Sequence, residues 1–282
     1  MMMKAAISTG KIVLYFVLMG LVVAGLMEFV VPAVAAQLGG VSTVPRIVTL
    51  GAINFIAMSL PAMALTMLFD GKSPVAMGFG RTGGLSDFLM GGVVGGFIFL
   101  SAVAAAVFGG WASINPDFAT FSMRAMAWSM AGMTLAAAGE EVMMRGFVLQ
   151  ELMSKFSVPA SVIVSSLIFM ALHGAALVKS DMAAVGALNI FLASVLMSLA
   201  YLATRTLWLP IGIHAGWNIM QGPMLGFNVS GNDFNAGWQP VTMSGPEMMT
   251  GGTFGFEASV LGLIGPVLGI LMMLLFRQRS YQ

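Results

Sequence analysis

The chain has 282 residues, of which 59% are hydrophobic and 8% are charged, and its formal net charge is +1. This composition is far too apolar for an ordinary soluble domain, and the lack of a long Lys/Arg cluster argues against a nucleic-acid partner. The chain has no cysteine, which excludes disulfides, thiolate metal sites and cysteine nucleophiles.

Several apolar runs are about 20 residues long, the length that a helix needs to cross about 30 Å of hydrocarbon. A closed β-barrel would show short alternating segments instead, so we predict an all-α, polytopic transmembrane helical bundle. We expect one integral membrane domain over residues 1–282, because neither the 70–86 loop nor the 228–256 loop has the character of a domain. About eight spans are predicted, at residues 12–36, 46–69, 87–109, 125–154, 158–178, 183–204, 208–227 and 257–276.

The distribution of Lys and Arg predicts the orientation of the spans. Eight spans put both termini on one side, and we expect the first span to be retained rather than cleaved as a signal peptide. With the termini inside, the outer segments hold only Arg46, Arg124 and Lys179. We therefore expect a multi-pass protein of the plasma (inner) membrane with cytoplasmic N- and C-termini. The cytoplasmic bases are then Lys4, Lys11, Lys72, Arg81, Lys155, Arg205, Arg277 and Arg279.

Ionisable side chains within a span cost about 2.5–3.5 kcal/mol each on insertion scales, so each one is a functional candidate. We expect Glu28 in the first span to pair with a buried base or to line a cavity, and Asn189 to form an interhelical hydrogen bond. The full set, in chain order, is Glu28, Glu140, Glu141, Arg145, His173 and His214, with the neutral Asn189 and Asn218.

The fourth span carries two adjacent carboxylates. Glu141 and Arg145 are four residues apart, so they lie on one helical face and can neutralise each other. Glu140 points about 100° away around the helix and is left without a partner there, which suits a general base. The alternative is a three-membered ion cluster that only fixes helix packing.

Both histidines of the chain lie in later spans. His173 follows Phe169 by one helical turn, and His214 precedes Asn218 by one turn. A rise of about 1.5 Å per residue puts Glu140 and His173 in one layer of the bilayer, within reach of the seventh span. Either histidine alone is more often a packing residue, but together they predict a shared polar pocket.

Three ordered motifs carry a family resemblance: E-E-x-x-x-R at 140–145, F-x-x-x-H at 169–173 and H-x-x-x-N at 214–218. The region of about 124–227 resembles the CPBP (Abi, CAAX-protease-like) intramembrane endopeptidases, which include the Rce1 type of prenyl-protein protease. The resemblance implies hydrolysis of a peptide bond in a membrane-associated or lipidated peptide or protein. It assigns Glu140 as the general base and His173 as a residue that helps to hold or activate the water. It assigns His214 and Asn218 as oxyanion donors. The supporting residues are Glu141, Arg145 and Phe169.

Three alternatives stay open on the sequence. Glu140, His173 and His214 could instead ligate Zn²⁺, although no H-E-x-x-H motif is present and we favour a metal-free mechanism. The same residues could form the relay of a proton-coupled transporter. The chain could also be a non-catalytic membrane scaffold or a bacteriocin-immunity-type protein. We expect membrane lipid and a peptide or lipidated protein as partners.

Overall fold

The computed structural model describes residues 2–37, 43–80, 83–234 and 237–279, so that Arg81, one of the predicted cytoplasmic bases, lies outside the described residues. Two short strands, β1 (Ala112–Ile114) and β2 (Val241–Met243), pair antiparallel. The described helices are α1 (Met2–Gly25), α2 (Val31–Gln37), α3 (Thr43–Asp70), α4 (Gly84–Phe108), α5 (Met123–Glu141), α6 (Leu149–Met153), α7 (Val158–Leu172), α8 (Gly174–Leu177), α9 (Ala183–Thr204), α10 (Trp208–Ile219), α11 (Glu247–Thr250) and α12 (Ile264–Arg279).

The predicted helical membrane bundle is confirmed. Among the described residues, four helical stretches are long and apolar enough to cross a membrane: Thr9–Val34, Ile47–Asp70, Gly84–Phe108 and Ala183–Thr204. Large apolar side chains stand exposed along these stretches, as expected of helices whose outer faces contact lipid. Val158–Leu172 and Ile264–Phe276 are shorter apolar helices, so the count of eight spans stays a prediction.

Short π-helical segments continue three of the helices. They cover Leu26–Val30 between α1 and α2, Val142–Val148 between α5 and α6, and Met220–Met224 after α10. The residues flanking Val142–Val148 keep right-handed helical dihedrals, so α5 and α6 form one continuous helical run. Single π turns are often found at functional sites. Two of these three begin within two residues of Glu141 or Asn218.

Two predicted spans have different bounds in the structure. The fifth ends at Leu172 rather than at 178, because the backbone leaves helical geometry at His173, with φ −89° and ψ 1°. The eighth begins as helix α12 at Ile264 rather than at 257, because Gly255, with φ 106°, and the 3₁₀ turn Phe256–Ala258 precede it. Phe256 is completely buried and packs in a core cluster with residues of α4, α9 and α10.

Glycines bring two pairs of helices into close contact. A Cβ atom added to Gly51 of α3 would lie 2.3 Å from the carbonyl oxygen of Gly132 in α5. On the other side, a Cβ atom on Gly95 of α4 would lie 2.0 Å from the carbonyl oxygen of Ile213 in α10. Small residues allow such backbone contact between membrane helices. The two helices that carry Glu140 and His214 are thus held against α3 and α4 with little freedom to shift.

An ion cluster ties α1 to two other helices. Lys11, predicted to be a cytoplasmic base, is 7% exposed. Its ammonium group donates hydrogen bonds to Asp70 at the end of α3, at 2.6 Å, and to Glu151 in α6. The three side chains cross-link these helices at the end of the bundle where Lys72 and Lys155 also lie near a shared cavity.

Candidate active site

Helices α3, α5, α7, α9 and α10 enclose a cavity of about 340 Å³, which is also lined by Val229, Ser230, Asn232, Phe234 and Glu257. Glu140, His173, His214 and Asn218 all contribute to its wall. The rest of the lining is mainly apolar, with Met133, Leu196 and Trp217 among it. Three helical segments separated in sequence therefore bring one carboxylate, two imidazoles and one carboxamide to a common space.

The imidazole of His214 lies between the two adjacent carboxylates of α5. His214 Nδ1 donates a hydrogen bond to Glu141 Oε1 at 2.8 Å, and His214 Nε2 lies 3.8 Å from Glu140 Oε2. Because an ionised carboxylate can only accept, the bond to Glu141 fixes a proton on Nδ1. Nε2 is thereby directed toward Glu140 and the cavity.

Arg145 forms the buried ion pair that its spacing from Glu141 predicts. Its Nη1 donates to Glu141 Oε1 at 3.1 Å, while Nη2 donates to the carbonyl oxygen of Ser194, at 2.7 Å, and to the Ser194 hydroxyl, at 2.8 Å. Both members of the pair are essentially inaccessible, with 0% and 1% of their surface exposed. The guanidinium also lies 5.3 Å from the centre of the Phe169 ring.

His173 stands at the point where α7 ends. Its Nδ1 is 2.9 Å from the carbonyl oxygen of Phe169, which accepts a hydrogen bond when Nδ1 carries the proton. The neutral ring then keeps a lone pair on Nε2. The Phe169 ring packs against that of His173, at 4.7 Å between centroids, and lies 6.4 Å from that of His214. The Phe169 ring therefore lies near both imidazoles and near the guanidinium of Arg145.

Two of the predicted polar residues differ from expectation. Glu28 lies in the π-helical segment after α1, is exposed, and is not among the described residues that line the cavity, so the expected cavity or buried-base role is wrong. Asn189 is 2% exposed and does line the cavity, but its Nδ2 has no hydrogen-bond partner within the described residues. The expected interhelical hydrogen bond from this amide is thus not found in the described part of the chain.

The described side chains do not form a ready metal site. Within residues 2–37, 43–80, 83–234 and 237–279, no three His, Asp or Glu side chains are grouped so that they could hold a metal ion. A catalytic zinc site normally uses three protein ligands with a fourth position for water. Whether Glu140, His173 and His214 act with or without a metal stays a prediction.

Three residues of the site were not identified from the sequence. Ser194 binds Arg145, and Ser230 donates to the carboxylate of Glu257, which lines the cavity. Serines in an apolar helix or a loop give no distinctive signal. Glu257 does give one, because it is a single carboxylate within the apolar stretch Phe254–Ala258.

Comparison with known families supports the resemblance that the motifs carry. Residues 122–220 match a family described as "Type II CAAX prenyl endopeptidase Rce1-like". Comparisons with curated proteins and with solved structures give no match. The matched segment includes all three motifs, from Glu140 to Asn218. The predicted resemblance is therefore confirmed: over residues 122–220, this membrane protein is similar to the type II CAAX prenyl endopeptidase Rce1-like family.

Proposed function

We propose that this chain is an intramembrane endopeptidase that uses Glu140, His173, His214 and Asn218 to hydrolyse a peptide bond. The substrate would be a membrane-associated or lipidated peptide or protein. One observation carries the proposal: all four side chains line the same cavity within the helical bundle. The family match over residues 122–220 supports peptide hydrolysis as the class of reaction.

Water activation is assigned to Glu140 and His173. Glu140 is adjacent in sequence to Glu141, but only Glu141 is taken up by the pair with Arg145. Glu140 is thus available to remove a proton from water, a contribution typically of about 10²–10⁴-fold in rate. The Nδ1 of His173 faces the Phe169 carbonyl, so its Nε2 can accept a hydrogen bond from the same water.

Oxyanion stabilisation is assigned to His214 and Asn218. Attack on the amide carbon places negative charge on the carbonyl oxygen, and donors fixed in advance in a site with little water stabilise it strongly. Asn218 supplies an amide N–H2 group one turn after His214. His214 can donate from Nε2 only when both ring nitrogens carry protons, and the neighbouring carboxylates of Glu140 and Glu141 stabilise that cationic ring.

The leaving amine also needs a proton. The proton that Glu140 takes from the water is the natural source, because the same carboxylic acid faces the scissile bond when the C–N bond breaks. The two products are then a carboxylic acid, which keeps the second proton of the water, and an amine, and Glu140 returns to its ionised form. Transfer of that second proton gives the usual carboxylate and ammonium ends. Glu141, Arg145 and Phe169 act through packing and charge, by fixing the orientation of the two imidazoles.

A peptide-library assay tests the proposal. The purified protein is incubated in detergent with a library of apolar peptides, with and without chelator, and products are read by mass spectrometry. We expect the wild-type protein to cleave peptides with and without chelator. Glu140→Gln should reduce the cleavage rate to below about a thousandth of the wild-type rate, and His173→Ala should reduce that rate strongly.

The matched control for that assay is Glu28→Gln, which makes the same change at an exposed helical position. It should leave the cleavage rate unchanged. Cleavage by Glu140→Gln at the wild-type rate would overturn the assignment, and solute flux in liposomes without any cleaved product would favour a transporter. Loss of all cleavage on chelation would show that a metal takes part.

We further infer that the chain sits in the plasma (inner) membrane with both termini in the cytoplasm. Support comes from the bias of Lys and Arg toward one set of loops. Lys11, Lys72 and Lys155 also gather at one end of the bundle.

A further inference from the structure

Glu257 is a second carboxylate in the wall of the cavity, contributed from outside the 122–220 region that matches the family. Its side chain is largely buried, with the residue 7% exposed. The backbone N–H of Ser230 donates to Glu257 Oε2 at 2.9 Å, and the Ser230 hydroxyl donates to the same oxygen at 3.1 Å. The carboxylate is thus held in one orientation beside the cavity.

The backbone around Glu257 is rigidly set. Gly255 adopts φ 106°, which disfavours other residues, and a Cβ atom there would lie 2.2 Å from the carbonyl oxygen of Asn228. Phe254 and Phe256 on either side are 1% and 0% exposed. This packing fixes the turn Phe256–Ala258, so the position of the Glu257 carboxylate is built into the fold.

Carboxyl groups in the wall of the cavity have no lysine or arginine beside them in the described lining. These carboxyl groups belong to Glu140 and Glu257. The nearby guanidinium of Arg145 is 1% exposed and is already bound to Glu141 and Ser194. Burial raises the pKa of the Glu257 carboxyl, and the hydrogen bonds from Ser230 oppose that rise, so a cation bound beside Glu257 would favour its ionised form.

We propose that Glu257 makes part of this cavity a subsite for a cationic substrate group, a lysine or arginine side chain next to the scissile bond. This inference rests on the proposed peptidase function. A buried carboxylate loses hydration that the two hydrogen bonds from Ser230 replace only in part, and a cation offsets the remainder. The long apolar stem of lysine or arginine matches the mainly apolar lining.

The same electrostatics disfavours an anionic group at this position. A glutamate side chain, or a free C-terminal carboxylate, would be brought close to Glu257 and Glu140 in a described lining that has no Lys or Arg. Of the two histidines there, His214 is already bound to Glu141 and lies beside Glu140. The subsite should therefore select among substrates by charge as well as by their apolar character.

Binding to the Glu140→Gln variant tests the subsite without cleavage. The probes are fluorescently labelled apolar peptides that differ at one position. That position lies next to the bond that the wild-type protein cuts. If no bond is cut, the varied position is moved along the peptide. We expect the lysine peptide to bind about 30-fold more tightly than its norleucine counterpart, and the glutamate peptide to bind weakest. Acetylation of the same lysine should remove the preference.

A second substitution locates the effect. Glu257→Gln in the Glu140→Gln protein keeps the size of the side chain and an acceptor for Ser230, and it should reduce the lysine preference to less than about threefold. Glu247→Gln, at an exposed position in the same region of the chain, is the matched control and should retain the preference.

The outcomes separate this inference from the proposed function. Equal binding of the lysine, acetyl-lysine and norleucine peptides would overturn the subsite even if the wild-type protein cleaves peptides. A lysine preference that survives Glu257→Gln would also overturn it. If Glu257→Gln removes the lysine preference, the subsite proposal holds even when no peptide is cleaved. In that case only the peptidase proposal fails.

Discussion

His214 Nδ1 lies 2.8 Å from Glu141 Oε1, the same oxygen that accepts a hydrogen bond from Arg145 Nη1. One carboxylate oxygen of Glu141 therefore binds both Arg145, in the π-helical segment after α5, and His214 of α10. The second oxygen, Glu141 Oε2, has no hydrogen-bond partner within the described residues. This arrangement makes Glu141 the link between helix packing and the orientation of His214.

The first prediction concerns that link. Glu141→Gln should lower the free energy of unfolding by about 3 kcal/mol, because it leaves the buried Arg145 without its carboxylate. The rate of peptide cleavage should fall by at least about 100-fold, since the glutamine does not stabilise a cationic His214. Unfolding in detergent and kcat are measured on the same preparations.

A double variant separates the two effects of Glu141. Glu141→Gln with Arg145→Met removes both charges, so much of the lost stability should return while kcat stays low. Recovery of kcat together with stability would mean that Glu141 only balances Arg145 and has no part in orienting His214.

The second prediction concerns Asn218, which is 8% exposed and lines the cavity. Asn218→Ala should lower kcat by about 10²–10³-fold with little change in KM, because an oxyanion donor acts on charge that develops in the transition state. Asn115→Ala, at an exposed position after β1, is the matched control and should have no effect. A rise in KM at constant kcat would instead assign Asn218 to substrate binding.

Much of the site could be predicted because helical periodicity is local. The spacings between Glu141 and Arg145 and between His214 and Asn218 each fix a shared face, and charges are so rare in this chain that the few within apolar runs stand out. The contact between His214 and Glu141 could not be derived in that way. It depends on how closely α5 and α10 approach, which is set by packing between distant segments.

The bounds of the later helices were harder to predict for a related reason. Hydropathy does not distinguish a spanning helix from a buried turn. The stretch around Phe256 is apolar, so its composition is compatible with either structure. Gly255 adopts φ 106° and lies against the backbone of Asn228, a tertiary contact that leaves no room for a Cβ atom. The 228–263 region was consequently expected to be a loop followed by a span, and its contribution of Glu257 to the cavity was missed.

The third prediction tests the inferred orientation. Because the chain has no cysteine, a single introduced cysteine reports its own accessibility. Ser154→Cys, between α6 and α7, should be labelled by a membrane-impermeant maleimide only after the cells are opened, whereas Asn115→Cys should be labelled in intact cells. Both positions are exposed, so neither result depends on burial. The reverse pattern would invert the orientation inferred from the basic residues.

The fourth prediction concerns the contact that holds α10 in place. A Cβ atom on Gly95 would lie 2.0 Å from the carbonyl oxygen of Ile213, whereas the nearest atom to a Cβ on Gly92 would be 4.0 Å away. Gly95→Ala should therefore force α4 and α10 apart, lowering both thermal stability and kcat, because His214 and Asn218 move with α10. Gly92→Ala makes the same change in the same helix and should retain both properties. Equal tolerance of the two substitutions would show that the α4–α10 contact is looser than these distances require, and that the positions of His214 and Asn218 do not depend on it.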